Sequence, residues 1–455
     1  MKNGLRKRAV RSKECWNSAE KEVTMYSFRK KYQVLIVGCG VAGLYCALNL
    51  PENTDILMIT KDSAEKSDSF LAQGGICVLK NKEDFSSYYE DTMRAGHYEN
   101  NPDSVTQMIE NSPEIIRDLV GYGVDFARDE EGYFRYTREG GHSSPRILFH
   151  DDVTGKEITS KLLSAVRKKK NIHIAEFTEL VDLIAEGNEC FGGVLRDVQT
   201  GKLQTVYADH TLLASGGVGG LYENSTNYRH LTGDALAIAM KNGVAVEHLD
   251  YVQIHPTTFY SEKHGRRFLI SESVRGEGAV LYGKDGKRFC NELLPRDIVT
   301  SEIHAQMKKD GMKHVWLDMR PIGEKTIKEH FPTIYKHCLD EGFDVLKEPI
   351  PVVPAQHYFM GGIKVDGRGR TSMKRLYSAG ETACNGVHGK NRLASNSLLE
   401  SLVWAKEAAF CMQEESEPIQ KFPEKDFKNY ENYQLLKETY AKAIREEAEK
   451  EAYVD

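Results

Sequence analysis

Three things are missing from this chain of 455 residues: a C-x-x-C pair among its nine cysteines, a long apolar run, and an excess of basic charge. The odd cysteine number in so long a chain argues against a disulfide framework, and the spacing argues against a zinc or iron–sulfur site. Cys15, Cys39, Cys46, Cys77, Cys190, Cys290, Cys338, Cys384 and Cys411 therefore read as reduced thiols, small hydrophobes in a cytoplasmic protein. No segment reaches the roughly 18 consecutive apolar residues of a membrane span. The formal net charge is −6, whereas a dedicated nucleic-acid binder usually presents a basic surface. Internal repeats and low-complexity tracts are absent as well. What remains is ordinary globular composition, 40% hydrophobic and 28% charged, in a chain long enough for two or three domains.

Basic charge is concentrated at the start. Residues 1–31 hold ten Lys or Arg against three Asp or Glu. They show no period and no apolar segment follows, so they read as a disordered basic arm and not a secretory signal. Order begins with the β-rich run Tyr32-Gln33-Val34-Leu35-Ile36-Val37. It meets Gly38-Cys39-Gly40-Val41-Ala42-Gly43, then apolar residues at helical spacing, then Ile56-Leu57-Met58-Ile59. Strand, glycine turn, helix and strand make a βαβ unit, the Rossmann-like start of an α/β fold. Its first glycine permits the tight turn, its second lets a pyrophosphate approach the backbone, and its third lets helix and strand pack closely. The helix N-terminus adds unpaired N–H groups for the anion. The acid that holds a ribose usually follows about 20 residues on; Thr60-Lys61 stands there instead. Lys61 is left to touch a phosphate or hydroxyl, or to be solvated.

Two later strand-like runs also end in glycine turns, Thr211-Leu212-Leu213-Ala214 before Ser215-Gly216-Gly217 and Leu376-Tyr377-Ser378-Ala379 before Gly380-Glu381. A third glycine turn lies in Asp68-Ser69-Phe70-Leu71-Ala72-Gln73-Gly74-Gly75. Contacts from such distant parts of a chain fit one extended ligand, and FAD has the length. Residues 248–357 turn polar and β-rich with many His and Arg, as an inserted α+β domain does. The domain reading is therefore a FAD-binding domain over 32–247 plus 358–412, a capping domain over 248–357, and a short helical tail over 413–455. Its Glu-, Lys- and Ala-rich part, about 428–452, reads as a solvated helix.

Six stretches carry a more specific resemblance: Ala72-Gln73-Gly74-Gly75, His255-Pro256-Thr257, Arg275-Gly276-Glu277-Gly278, Pro295-Arg296-Asp297, His357-Tyr358 and Asn391-Arg392-Leu393-Ala394-Ser395-Asn396-Ser397-Leu398. From about Tyr32 to Ala408 the chain resembles the flavoprotein family of succinate dehydrogenase, fumarate reductase and L-aspartate oxidase. Within it, Thr137-Arg138-Glu139-Gly140-Gly141-His142 is similar to the motif of the aspartate-oxidizing branch. The dicarboxylate dehydrogenases usually carry a neutral residue at the place of Glu139. Aspartate differs from succinate by an ammonium group, which a carboxylate can pair. A soluble fumarate reductase is the competing reading, and Glu139 speaks against it. The membrane-complex members attach FAD through a His five residues before the Gln of A-Q-G-G; here that residue is Asp68, which implies non-covalent FAD.

The resemblance implies roles. Arg392 and His357 would hold one carboxylate, His255 and Ser271 the other, and Glu139 would face the amine. Arg296 matches the proton-transfer arginine, with Arg275 in the same pocket wall. Gly38 to Gly43, Lys61, Asp68 to Gly75, Asp234, Glu381, Ser397 and Leu398 would contact FAD. The implied reaction is oxidation of L-aspartate to iminoaspartate by hydride transfer to FAD, with O2 or fumarate as reoxidant, at the head of NAD biosynthesis through quinolinate. A quinolinate synthase is the implied functional neighbour; no nucleic acid, metal or membrane is. The family commonly adds a sizeable helical C-terminal domain, of which only residues 409–455 have a counterpart here.

Overall fold

The computed structural model describes residues 28–415 and 417–452. Most of the basic arm, residues 1–27, and the end of the tail, 453–455, lie outside the described residues. Residues 28–31 depart from the arm reading. Arg29 pairs with Asp55 at 2.7 Å, Lys31 pairs with Asp209 at 2.8 Å, and the first strand already starts at Lys31.

That strand, β1 (Lys31–Val37), leads through the glycine turn into α1 (Val41–Asn49) and then β2 (Ile56–Ile59). Helix α1 is apolar on every side, and Val41 through Ala47 are all buried, as a helix between a sheet and a second helical layer must be. β1 runs parallel to β2 on one side and to the long strand Leu203–Leu213 on the other. Parallel partners Ile172–Ala175 and Leu376–Ser378 extend the sheet. It is mixed, not purely parallel: Thr178–Glu186, Glu189–Asp197 and Leu203–Leu213 form an antiparallel meander at one side. Val34, Leu35, Ile36 and Val37 of β1 are all buried, which matches their continuous hydrophobic run, while Gln33 is exposed.

Helices Thr154–Arg167 and Ser397–Glu414 join α1 on one face of the sheet, around a core that includes Leu44, Ile158, Leu402 and Trp404. On the other face lie Asp234–Lys241 and the C-terminal helix Tyr433–Ala452. The latter is not the solvated helix of the sequence reading. Leu436, Tyr440 and Ile444 recur on one side of it and pack into the second core, a stripe at helical spacing that the surrounding Glu and Lys residues disguise.

Between the two halves of this unit stands a second sheet of five antiparallel strands with its own core, including Phe259, Leu281, Ile303, Leu317 and Ile350. Its two long strands, Val252–Phe259 and Ile350–Phe359, pair antiparallel, so the chain leaves and re-enters the first unit side by side. A register shift between Gln253 and Ile254 brings the His255 and His357 rings to within 5.1 Å of each other. Among the described residues no helix is long and apolar enough to cross a membrane, and no group of three or more His, Cys, Asp or Glu is placed to hold a metal ion.

Two glycines of the first turn are dictated by close approach. Gly38 has φ +119°, and a Cβ there would lie 2.0 Å from the Ala214 carbonyl oxygen; a Cβ on Gly43 would lie 2.1 Å from the Gly38 carbonyl oxygen. Backbone cannot yield as a side chain can, so Gly43→Ala is expected to cost about 1–3 kcal/mol of stability. Thermal or denaturant unfolding of the variant checks this; an unchanged midpoint would contradict the packing account.

Candidate active site

One cavity of about 440 Å³ runs from the glycine turn to the second sheet. The elements that line it come from every part of the chain. Residues 38–42 at the start of α1, Lys61 after β2, residues 68–75, Asp234, Glu381, Ser397 and Leu398 line it. So do Glu139, His255, Ser271, Arg296, His357 and Arg392. Two residues of the sequence reading stand back from it. Gly43 acts in helix–strand packing, as described above. Arg275 is buried behind Glu272: its Nη1 donates to the Glu292 carbonyl and its Nη2 lies 3.8 Å from Glu272 Oε1.

At the glycine-turn end, Lys61 is not solvated. It forms an ion pair with Asp234 and donates to the His230 carbonyl at 3.1 Å. Asp234 also accepts from Thr232 Oγ1 at 2.7 Å, and Lys61 helps hold its carboxyl below the ordinary value although burial opposes this. Beside Lys61, Glu179 enters the wall, already engaged by Arg196 at 2.9 Å and by the Tyr433 hydroxyl of the C-terminal helix. Further along, Asp68 Oδ1 accepts from the Tyr228 backbone N–H at 3.0 Å, while burial pushes its pKa up to about 7. Glu381 accepts from the Phe359 backbone N–H at 2.9 Å, and burial raises it too, with Asp68 nearby adding to the effect.

At the second-sheet end the charges converge. Arg392 sits 4.6 Å over the Tyr358 ring and donates to Ser397 Oγ at 3.0 Å. Burial, then the neighbouring Arg296, lowers its pKa to about 10. Arg296 opens the helix Arg296–Asp310; its Nε donates to Glu272 Oε2 at 2.5 Å and its Nη1 to Gln253 Oε1 at 2.7 Å. Burial alone would raise Glu272, yet Arg296 and Arg275 hold it ionised below the usual range. Glu139 is different. It accepts from Ser395 Oγ at 2.6 Å and from Ser273 Oγ at 2.9 Å, but among the described residues no cation forms an ion pair with it, and burial, with Glu272 nearby, raises it.

Both histidines are neutral. Burial first, and Arg296 next, push His255 and His357 well below their ordinary pKa. His255 Nδ1 lies 3.1 Å from the Thr257 carbonyl oxygen and 3.2 Å from the Thr257 backbone nitrogen, and its Nε2 has no hydrogen-bond partner among the described residues. His357 Nδ1 pairs with Thr226 Oγ1 at 2.8 Å. Sequence reading overlooked Glu272, Ser273 and Gln253. Glu272 stood three residues before Arg275 at helical spacing, the one visible sign; Gln253 and Ser273 gave none. Ser395 lay inside a quoted motif without a role.

The cavity suits a large polar ligand. Ser67 Oγ, Asp68 Oδ2, Gln73 Oε1, Ser215 Oγ, His255 Nε2 and Arg392 Nε are buried, lie along it, and have no hydrogen-bond partner. Buried polar groups are rarely left so. Backbone at residues 38–42 opens a helix N-terminus toward it, fit for a pyrophosphate. At the other end, two arginines against one ionised glutamate leave room for a dianion.

The chain is similar to known proteins over most of its length. The family model described as FAD binding domain matches residues 33–398. The chain is 49% identical over 405 residues to an L-aspartate oxidase of Clostridium perfringens, covering 89% of this chain and 92% of that protein. An L-aspartate oxidase of Clostridium acetobutylicum is 48% identical, with 83% and 86% covered. That of Pseudomonas aeruginosa is 41% identical, with 84% of this chain but 74% of that protein covered. Among solved structures, the E. coli quinol fumarate reductase FrdA chain, in a mutant form, superimposes with a TM-score of 0.81 at 28% identity, covering 92% of this chain and 74% of that one.

Glu139 costs the empty fold stability. Its carboxyl is raised above the ordinary value of 4.5, so the ionised form is disfavoured in the native state and the penalty is present at neutral pH. Below both pKa values the group is protonated in folded and unfolded chains alike and the penalty vanishes. Glu139→Gln is therefore expected to raise the unfolding midpoint at neutral pH, with the gain shrinking as the pH falls toward 4.5. Melting curves across that range check it.

Proposed function

Because the chain belongs to the L-aspartate oxidase family of FAD-binding flavoproteins, we propose that its cavity holds FAD from the glycine turn to Gly75 and L-aspartate at the second-sheet end. The enzyme is a FAD-dependent oxidoreductase that converts L-aspartate to iminoaspartate. The observation that carries the substrate assignment is the placing of Glu139 among Arg296, Arg392 and the two neutral histidines. Two carboxylates and one ammonium need two cationic or strong-donor clamps and one anion. The cavity presents that set.

Arg392 and His357 grip one carboxylate. His255, whose Nε2 is left without a partner among the described residues, and Ser271 grip the other. Neutral histidines donate without adding positive charge to a site that already holds two arginines. A dianion relieves the repulsion between Arg296 and Arg392 that lowers Arg392. Glu139 takes the ammonium group, a partner that also draws the raised carboxyl back to its ionised form. Ser395 and Ser273 fix both its oxygens, so its direction is set before substrate arrives. When bound, FAD supplies the two-electron acceptor for the hydrogen on the α-carbon. Holding that carbon in one orientation can contribute roughly 7–11 kcal/mol toward the barrier.

Arg296, Glu272 and Arg275 are linked one to the next, Arg296 Nε to Glu272 Oε2 at 2.5 Å and Glu272 Oε1 to Arg275 Nη2 at 3.8 Å. Glu272 holds Arg296 in its direction. That line is the route by which a proton reaches or leaves the site. Asp68 carries no imidazole for a flavin bond, so FAD is held without covalent attachment. Fumarate, which shares the two carboxylates, fits the same clamps as reoxidant, with O2 as the alternative. Iminoaspartate so formed serves quinolinate formation on the way to NAD, with a quinolinate synthase as the neighbouring enzyme, in the cytoplasm.

Anaerobic mixing of the FAD-loaded protein with L-aspartate tests the assignment directly. The visible flavin absorbance is expected to bleach rapidly with L-aspartate and not with succinate. Bleaching by succinate alone would make the protein a dicarboxylate dehydrogenase. Arg392→Lys keeps the charge but loses the planar fork. It is expected to lower kcat/KM for L-aspartate by about 10- to 100-fold, the equivalent of one lost hydrogen bond to a charged group. A loss smaller than threefold would remove Arg392 from the clamp.

A further inference from the structure

Glu139 and Arg392 sit on two segments that have no regular secondary structure, the loop 138–146 and the turn 391–396. The short strand pair Ile76–Cys77 and Ile147–Leu148 ties their ends through backbone, with the Cys77 N–H donating to the Ser395 carbonyl at 3.1 Å and the Val78 N–H to the Arg146 carbonyl at 3.0 Å. Between those ends, side chains hold the loop to the turn. Ser395 Oγ donates to Glu139 Oε2 at 2.6 Å and accepts from the Gly75 backbone N–H at 3.2 Å. The next carbonyl upstream, that of Ala394, receives His142 Nε2 at 3.0 Å. Ser395 itself has φ +63°, a left-handed conformation that a residue with a Cβ keeps only where its surroundings hold it.

His142 is in turn held from behind. Arg146, fully buried, donates from Nη1 to Asp91 Oδ2 at 2.7 Å and from Nη2 to Asp84 Oδ1 at 3.1 Å. The same Nη1 faces His142 Nδ1 at 3.1 Å. Asp91 also accepts from the Ser143 backbone N–H at 2.7 Å, anchoring the chain next to His142. A carbonyl oxygen only accepts and a guanidinium only donates. The imidazole between Ala394 and Arg146 must therefore carry its single proton on Nε2. A second proton would have to sit on Nδ1 against Arg146, and burial together with that cation keeps the ring neutral, its pKa lowered to about 4.

We propose that His142, which does not line the cavity, is a positioning residue for substrate discrimination, its Nε2–H clasping the turn that carries Ser395 to the loop that carries Glu139. The proposal rests on the reading of Glu139 as the ammonium partner. Arg392 shares the turn but is held independently, by Ser397, by the Tyr358 ring and, at its carbonyl, by Gln253 Nε2 at 2.8 Å. Loss of the clasp therefore loosens Glu139 and leaves the carboxylate clamps in place. The consequence is selective for the substrate that carries an amine.

Steady-state kinetics of the FAD-loaded enzyme, with bound FAD measured per chain, provide the test. His142→Ala is expected to raise KM for L-aspartate about tenfold, the worth of one buried hydrogen bond. The kcat, the KM for fumarate and the FAD content are expected to change by less than about threefold. His142→Gln, whose amide nitrogen reaches the place of Nε2, is expected to restore the aspartate KM. His142→Asn, which fills most of the space but stops short of the Ala394 carbonyl, behaves like the alanine variant and replaces it should that one fail to fold. Equal losses on aspartate and fumarate, or an unchanged aspartate KM, would overturn the proposal. Glu139→Gln separates the two layers: if it leaves the aspartate KM unchanged, the Glu139 reading fails and the proposal with it. If it raises that KM while His142→Ala does not, the positioning role alone fails.

Discussion

Charge kept ionised out of water is the condition on which the rest of this structure depends. Arg296 and Arg392 are both buried at one end of a single cavity, and one carboxylate, Glu272, answers them. The arrangement is unfavourable for an empty protein, since uncompensated buried charge is costly. It becomes favourable when a dianion enters. The surroundings are arranged to hold the set in place without discharging it. Gln253 and Glu272 fix Arg296, Tyr358 and Ser397 fix Arg392, and burial strips the two histidines of charge so that they donate without adding to the excess. Glu139 stands apart as a carboxyl with two serine donors and, among the described residues, no ion-paired cation, and burial raises its pKa.

The fold supplies this arrangement through two long strands that leave the first unit and return beside each other. Because Val252–Phe259 and Ile350–Phe359 are antiparallel partners, His255 and His357, a hundred residues apart, face one another across a register shift. The glycine turn works by a different principle. It offers backbone, not side chains, and Gly38 and Gly43 are there because the carbonyls of Ala214 and Gly38 occupy the space a Cβ would need. One end of the cavity thus recognises by backbone donors at a helix N-terminus, the other by fixed charge.

Several mismatches between sequence and structure have a common cause. The sequence left a solvated Lys61 open as an alternative because its partner, Asp234, is far along the chain and comes near only when the helix Asp234–Lys241 packs on the sheet. The tail looked solvated because Tyr440 and Ile444 are sparse among Glu and Lys, and the face they cover is visible only once the meander is folded. Arg275 was placed in the pocket wall by its motif alone; the short helix Glu272–Gly276 puts Glu272, and not Arg275, on the cavity. Gln253 gave no sign in the sequence, because only the fold brings it against Arg296.

The sequence by itself determined the βαβ start, the glycine turn and its use, the family resemblance and most of the residues that meet in the cavity. These are legible because they rest on local sterics, on periodicity and on side-chain chemistry that a residue carries wherever it sits. It also singled out Glu139, through the resemblance, as the residue proposed here to pair with an ammonium group. Tertiary structure alone decided which of the charged residues face each other, which stand behind, and which protonation state each holds. Those depend on burial and on partners hundreds of residues away, and a pKa is a property of the environment, not of the residue type.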